Sequence, residues 1–392
     1  MANGTGPFVG GALVDSVTWR WVFWIVPMLA IPAAVAIYFW LPLKYESGNY
    51  KEKVKQIDYG GIALNLAAVL LVLIPLSGGG VQYAWNSAMV ISMLTVGTCT
   101  AVVFVLYEWK IAPVPIMPVR LVKYPHCWAL YLQNFMTGLA FFGNFFYLPI
   151  YFQSVLGLKA IISGAMLLPL ILPTSCTSIL SGQVLSRTGR YLWVVVVGFV
   201  LWTLGTGLKC AFDRNTKIWH IILVLIVEGM GIGNTLQSTL IAILSNSTNS
   251  DRAVATGLRN FIRTIGGAFG LIISGAILSN TLDRDLSQLP FMTKDILRNL
   301  TSSTFSLDTL GFTNEERDIV LDSYMTGIRY IYILYAVSTA INLVLCAWIG
   351  NTNLKAKTGV DEEVGEDTET VAHPSHGEKD QVAEINGRRG IE

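Results

Sequence analysis

Apolar residues in this chain fall into long runs bounded by charged segments. A helix needs roughly 20 apolar residues to cross the hydrocarbon core of a bilayer. Nine runs approach or exceed that length: 21–41, 59–77, 87–107, 128–152, 161–185, 191–212, 218–244, 257–279 and 329–349. Each is predicted to be a membrane-spanning helix, so the fold class expected is an all-α polytopic membrane protein. Ahead of the first full run, Ala2 to Val14 is apolar and rich in glycine but only about half the length of a span, and no basic region precedes it as in a signal peptide. It reads as the tail of a longer helix, with Met1 an internal methionine and further helices expected upstream. Two long polar segments stand outside the runs, 280–326 and 350–392.

Composition agrees with the pattern. Of the 392 residues 53% are hydrophobic and 14% charged, with a mean hydropathy of +0.53, which is too apolar for an ordinary soluble domain. The formal charge of +1 provides no field for nucleic acid. Lys and Arg concentrate in alternate short loops, among them Lys44, Lys51, Lys110, Arg120, Arg187, Arg190 and Arg252, and that set is assigned to the cytosol. The other short loops hold only Lys159, Lys209, Arg214 and Lys217, which places 280–326 outside and the C-terminus in the cytosol. Asp361, Glu362, Glu363, Glu366, Asp367 and Glu369 make the tail acidic and solvated. Asn299 opens a glycosylation sequon on the outer side, whereas the sequon at Asn246 falls on the cytosolic side. Five cysteines lie singly in or beside apolar stretches and read as small buried hydrophobes. Four histidines, His126, His220, His373 and His376, form no metal motif, and no nucleophile elbow or phosphate loop is present. Neither an enzyme nor a cofactor or metal is expected.

The densest motif is Gly4-Thr5-Gly6-Pro7-Phe8-Val9-Gly10-Gly11, followed by Trp19-Arg20-Trp21-Val22-Phe23. In a membrane such glycines allow neighbouring backbones to approach, and the proline allows a bend. With these residues the chain resembles the drug:proton antiporters of the major facilitator superfamily, in the fourteen-span branch common in fungi and bacteria. The family's antiporter signature G-x-x-x-G-P-x-x-G-G is matched by Gly6, Pro7, Gly10 and Gly11, with Ala2 in the place of the first glycine. Gly182 to Tyr191 looks like the second-half form of the family's cytoplasmic loop motif, through Gly182, Arg187, Gly189 and Arg190, with Ser186 where the first-half form has an aspartate. Arg259 to Gly270 is similar to the start of the penultimate span, and the resemblance extends to about Ile349.

Glu228 is the acidic residue deepest in any predicted span, and Arg263 lies about two turns inside another. Ionisable groups at such depth are costly and mark either structural pairs or coupling sites. Both are candidates for proton coupling; for Glu228 a neutral carboxyl bonded to a neighbouring helix, and for Arg263 snorkelling or structural pairing, are the competing readings. Gln133, Asn134, Phe141, Asn144 and Phe145 on one span, and Gln237 beyond Glu228, are candidates to line a large apolar cavity with a few amides. Plain bundle packing is the alternative.

The resemblance implies a partial major facilitator fold. Residues 1–41 are the end of the first helical half, 42–58 a cytosolic loop, 59–107 two linker helices, 108–127 a second cytosolic loop, 128–349 the second six-helix half, and 350–392 the tail. It further implies proton-coupled efflux of small hydrophobic drugs, toxins or metabolites across the plasma or vacuolar membrane, by a longer chain carrying the missing N-terminal helices. An uptake carrier for iron chelates and a non-transporting sensor are the alternatives.

Overall fold

The computed structural model describes residues 2–40, 57–79, 83–112, 115, 117–122, 124, 126–248, 251–287, 289–290, 292 and 313–350. Asn299, the acidic tail and most of the 42–58 loop lie outside the described residues. Helix α1 is Ala2–Ser16 and α2 Arg20–Trp40; α3 is Tyr59–Gly78 and α4 Ala88–Lys110; α5 is a single turn, Val119–Val122. Then come α6 (Cys127–Ile150), α7 (Ala160–Ala165), α8 (Leu168–Thr188), α9 (Leu192–Lys209), α10 (Ile218–Ser245), α11 (Arg252–Leu286) and α12 (Asn314–Leu345). Nine helices among the described residues are long and apolar enough to cross a membrane, and they coincide with the nine predicted runs.

Local chemistry explains where the helices stop. Asp58 caps α3 by accepting from the Gly61 N–H at 2.8 Å, and Ser87 caps α4 through the Val90 N–H. Gly189 ends α8 in the left-handed region at φ 68°, where any side chain would be strained. Pro149 sits in the last turn of α6, and the chain continues as a π turn, Tyr151–Val155. Two helices outrun their apolar stretches. α11 continues to Leu286, and α12 begins at Asn314 behind a capping box of Thr313 and Glu316, so both ends of the expected 280–326 loop are helical. Hydropathy locates the bilayer crossing and is blind to polar helix beyond it.

Helices α6 to α12 form one packed body, with α6 against α11 and α12, α9 between α10 and α12, and α8 on α10. In lipid, burial of apolar surface does not drive helices together, so close backbone approach must. A Cβ on Gly138 of α6 would run into the Arg263 carbonyl of α11, and one on Gly266 into the Phe135 carbonyl. Gly205 and Gly231 do the same for α9 and α10. Helices α3 and α4 pair with each other and lean on α11 through α3. α1 lies on α7, while α2 has no buried residue.

Both ends of this body are tied. At the end where α6 begins, Asp251 accepts from Arg120 at 2.7 Å, from Thr248 at 3.0 Å and from Tyr124 at 3.1 Å, and the Tyr191 hydroxyl donates to the Gly350 carbonyl. At the opposite end Arg214 bridges to Asp318 and Asp322 of α12. Hydrogen bonds from its guanidinium to those two carboxylates, that to Asp318 first, hold it even further above its ordinary pKa.

Candidate functional site

Glu228 is the eleventh residue of the 28-residue α10, about 15 Å from the helix start at 1.5 Å per residue. Its side chain is wholly buried and points at α9, where Gly205 leaves room for the Glu228 backbone and Cβ. There it meets Lys209. The Lys209 Nζ lies 2.9 Å from Glu228 Oε1, and both side chains have zero exposure. Asn144 of α6 closes the triangle: its Nδ2 donates to Glu228 Oε1 at 3.2 Å and its Oδ1 accepts from Lys209 Nζ at 2.5 Å. The Tyr332 ring of α12 packs beside the ammonium, 4.9 Å from its centroid, and Tyr332 stands with Tyr151 and Phe212 in an aromatic cluster. Glu228 Oε2 has no hydrogen-bond partner among the described residues.

This corrects the placement of Lys209, expected in an outer loop. A lysine in the last turn of an apolar run normally snorkels out to water. Here it folds back into the bundle because a carboxylate and an amide are waiting, and pairing offsets the desolvation of both charges. The available signal in the sequence was one-sided: Glu228 lay deep in its run, but Lys209, the last residue of its helix, looks the same in sequence whether it faces water or turns inward.

Polar contacts continue around the pair. Thr206 of α9 meets Thr339 of α12 at 3.0 Å, and Ser274 of α11 meets Tyr335 of α12 at 2.7 Å. Gln133 donates to the Asn342 carbonyl at 2.7 Å, and Asn342 Nδ2 to Thr137 at 3.2 Å. Asn134 donates to the Leu130 carbonyl of its own helix. Of the amides proposed for a cavity, then, Gln133 and Asn144 join helices to one another, and Asn134 is buried with its Oδ1 unpartnered. Phe141 and Phe145 touch at 4.8 Å between centroids and are half-buried, as is Gln237. None of these six lines the cavity of about 570 Å³ between α3, α11 and α12, whose wall includes Leu76, Trp85, Ile273, Asn280, Arg284 and Tyr330.

Arg263 is half-buried on α11 and forms no ion pair with Glu228 or any other described residue. Arg259, one turn earlier and not singled out by sequence, is buried and reaches α10. In the glycine motif a Cβ on Gly11 would strike the Ala160 carbonyl of α7, whereas Gly6 and Gly10 have open space. Pro7 lies within α1. In the loop motif Gly182 is open, Gly189 makes the helix stop, and Arg187 and Arg190 are exposed.

The profile described as Major Facilitator Superfamily matches residues 1–271. Citrate exporter 1 of Yarrowia lipolytica is 37% identical over 335 residues, covering 85% of this chain and 49% of the relative. MFS-type transporter clz4 of Cochliobolus lunatus is 31% identical, over 89% of this chain and 61% of its own length. Efflux pump dotC of Dothistroma septosporum is 31% identical, over 92% and 63%. The chain thus spans about half to three-fifths of the curated relatives it matches.

Proposed function

Because the chain belongs to the major facilitator superfamily, an integral membrane transporter family, we propose that it supplies the linker helices and second half of a proton-coupled exporter. The cargo is a small organic molecule. The single observation behind the coupling is the Lys209–Glu228 pair, sealed at membrane depth between α9 and α10 and held by Asn144 of α6. Relatives named as a citrate exporter and an efflux pump support outward transport.

A carboxylate paired with an ammonium in a dry bundle is a two-state element. With Glu228 ionised, the centre is neutral overall and clamps α6, α9 and α10 together. Protonation removes the attraction and leaves Lys209 with Asn144 alone, a net positive centre that favours a different helix arrangement or renewed access to water. Two half-transporters rocking about a midplane site would turn that shift into alternating access. The half absent from these residues belongs to the longer protein to which the activity is assigned. We place the transporter in the plasma membrane with Arg187 and Arg190 in the cytosol, Asn299 outside and Phe141, Phe145 and Gln237 toward the cargo path.

The test is transport by the full-length protein in proteoliposomes, driven by an imposed pH gradient, with citrate and a hydrophobic dye as parallel cargos. Glu228→Gln, whose side-chain oxygen still accepts from Lys209 Nζ, is expected to insert and fold with lowered stability but to lose gradient-driven accumulation while retaining downhill exchange. Accumulation at the unaltered rate removes Glu228 from the mechanism.

A further inference from the structure

Two arginines of α11 carry positive charge inside a span that no described carboxylate neutralises. Arg259 is 4% exposed. Its Nη2 donates to the Leu236 carbonyl at 2.7 Å and to Thr239 Oγ1 at 3.4 Å, both on α10, and its Nη1 to Asn260 Oδ1 at 3.5 Å. Every one of these acceptors is neutral, and the buried Nε has none. Arg263 follows four residues later, hence on the same helix face. Its side chain makes no hydrogen bond or ion pair with a described residue, and its Nε is buried without a partner.

Among the described residues the other buried cation, Lys209, does meet an acid, as do three less buried ones. Lys209 has Glu228, Arg120 has Asp251, Arg214 has Asp318 and Asp322, and Arg284 has Asp285. Like charges at i, i+4 repel, and cations inside a span are costly unless they meet an anion or water. Nor can the pair swing away as a unit. Gly138 admits the Arg263 carbonyl and Gly266 admits that of Phe135, which fixes this turn of α11 against α6. Arg259 is further pinned to α10. The result is a fixed backbone turn that carries the Arg259 guanidinium held against α10 and, on the same face, the half-buried Arg263 side chain with no partner among the described residues.

We infer that Arg263, with Arg259 behind it, is the binding site for the carboxylate of an organic-anion cargo. A guanidinium offers two parallel N–H donors to a carboxylate, a geometry that neither an ammonium nor a neutral amide reproduces. The counter-charge comes with the cargo, so the site is complete only when loaded. Calling the ligand a cargo rests on the export reading above; the binding itself does not.

The experiment is equilibrium binding by the full-length protein in detergent, with no pH gradient, read as thermal stabilisation. Citrate is the probe, triethyl citrate its uncharged control and inorganic phosphate a second anion. Citrate is expected to stabilise the unaltered protein and the ester to have no effect. Arg263→Gln should weaken citrate by at least about tenfold, the loss of a charge-assisted contact. Arg263→Lys, which keeps the charge without the fork, should weaken it by about threefold or more; if the Gln variant does not fold, this one decides. Exposed Arg187→Gln should bind as the unaltered protein does. Unchanged citrate affinity in the Arg263 variants overturns the site. Stabilisation by phosphate equal to that by citrate, or loss of the citrate response in nanodiscs containing phosphatidic acid, makes it a headgroup site and overturns the cargo assignment. Glu228→Gln should still bind citrate, so failure of proton coupling and failure of anion binding are read separately.

Discussion

Lys209 and Glu228 show what burial does to a charge pair. Each ion gives up water, and each is tolerable only because the other lies 2.9 Å away. Removing one member is therefore far more damaging than removing both. Lys209→Met is expected to destabilise the bundle by about 3–5 kcal/mol, since the Glu228 carboxylate is left buried without its cation. Combining it with Glu228→Leu should return most of that stability, because apolar side chains of similar volume need no partner, while proton-driven transport stays lost. Thermal unfolding in detergent checks the order: unaltered and double variant close together, single variant well below. A double variant no more stable than the single would show that the two residues do not depend on each other. Glu228 stood out in the sequence as a carboxylate deep in an apolar run. Lys209 did not, because a lysine at the end of such a run looks the same whether it faces water or turns back. Arg259, only a few residues into its apolar run, likewise carries no sequence signal that separates a buried arginine from one that snorkels to water.

Helices here are positioned by what their surfaces lack. Gly138, Gly266 and Gly270 bring α6 and α11 into backbone contact, and Gly205 and Gly231 do so for α9 and α10. Gly138→Val should destabilise the protein by about 1–3 kcal/mol or more, because the branched side chain must displace the Arg263 carbonyl and with it the turn bearing both arginines. Gly182→Ala on α8, where a Cβ meets nothing within 4 Å, should leave the melting temperature unchanged. Equal effects at the two positions would refute this packing. Element existence was legible from run length alone, since a crossing helix has no alternative in lipid. Element ends were less so. The polar extension of α11 to Leu286 and the start of α12 at Asn314 carry no hydropathy signal and depend on capping and on neighbouring helices.

At the scale of the whole molecule, the packed body of α6 to α12 is tied at both ends, by the Asp251 cluster and by Arg214. Orientation in the membrane has a direct test. In a chain with the exposed Cys99 and Cys176 replaced by alanine, an impermeant thiol reagent should label Arg187→Cys only after cells are opened, and Asp285→Cys in intact cells. The reverse pattern would invert the topology and place Arg263 near the outer face. The sequence alone determined that this is a polytopic helical membrane protein, how many crossings the described part makes, and the family to which it belongs. Those properties follow from the length of apolar runs and from local motifs, which lipid turns into structure with little freedom. Only the tertiary structure decided which charges meet. Lys209 and Glu228 are 19 positions apart and Asn144 is 84 from Glu228, while Arg259 and Arg263 meet no acid among the described residues. Pairing across helices depends on how each helix is rotated about its axis, and a run of uniformly apolar residues contains too little asymmetry to specify that rotation.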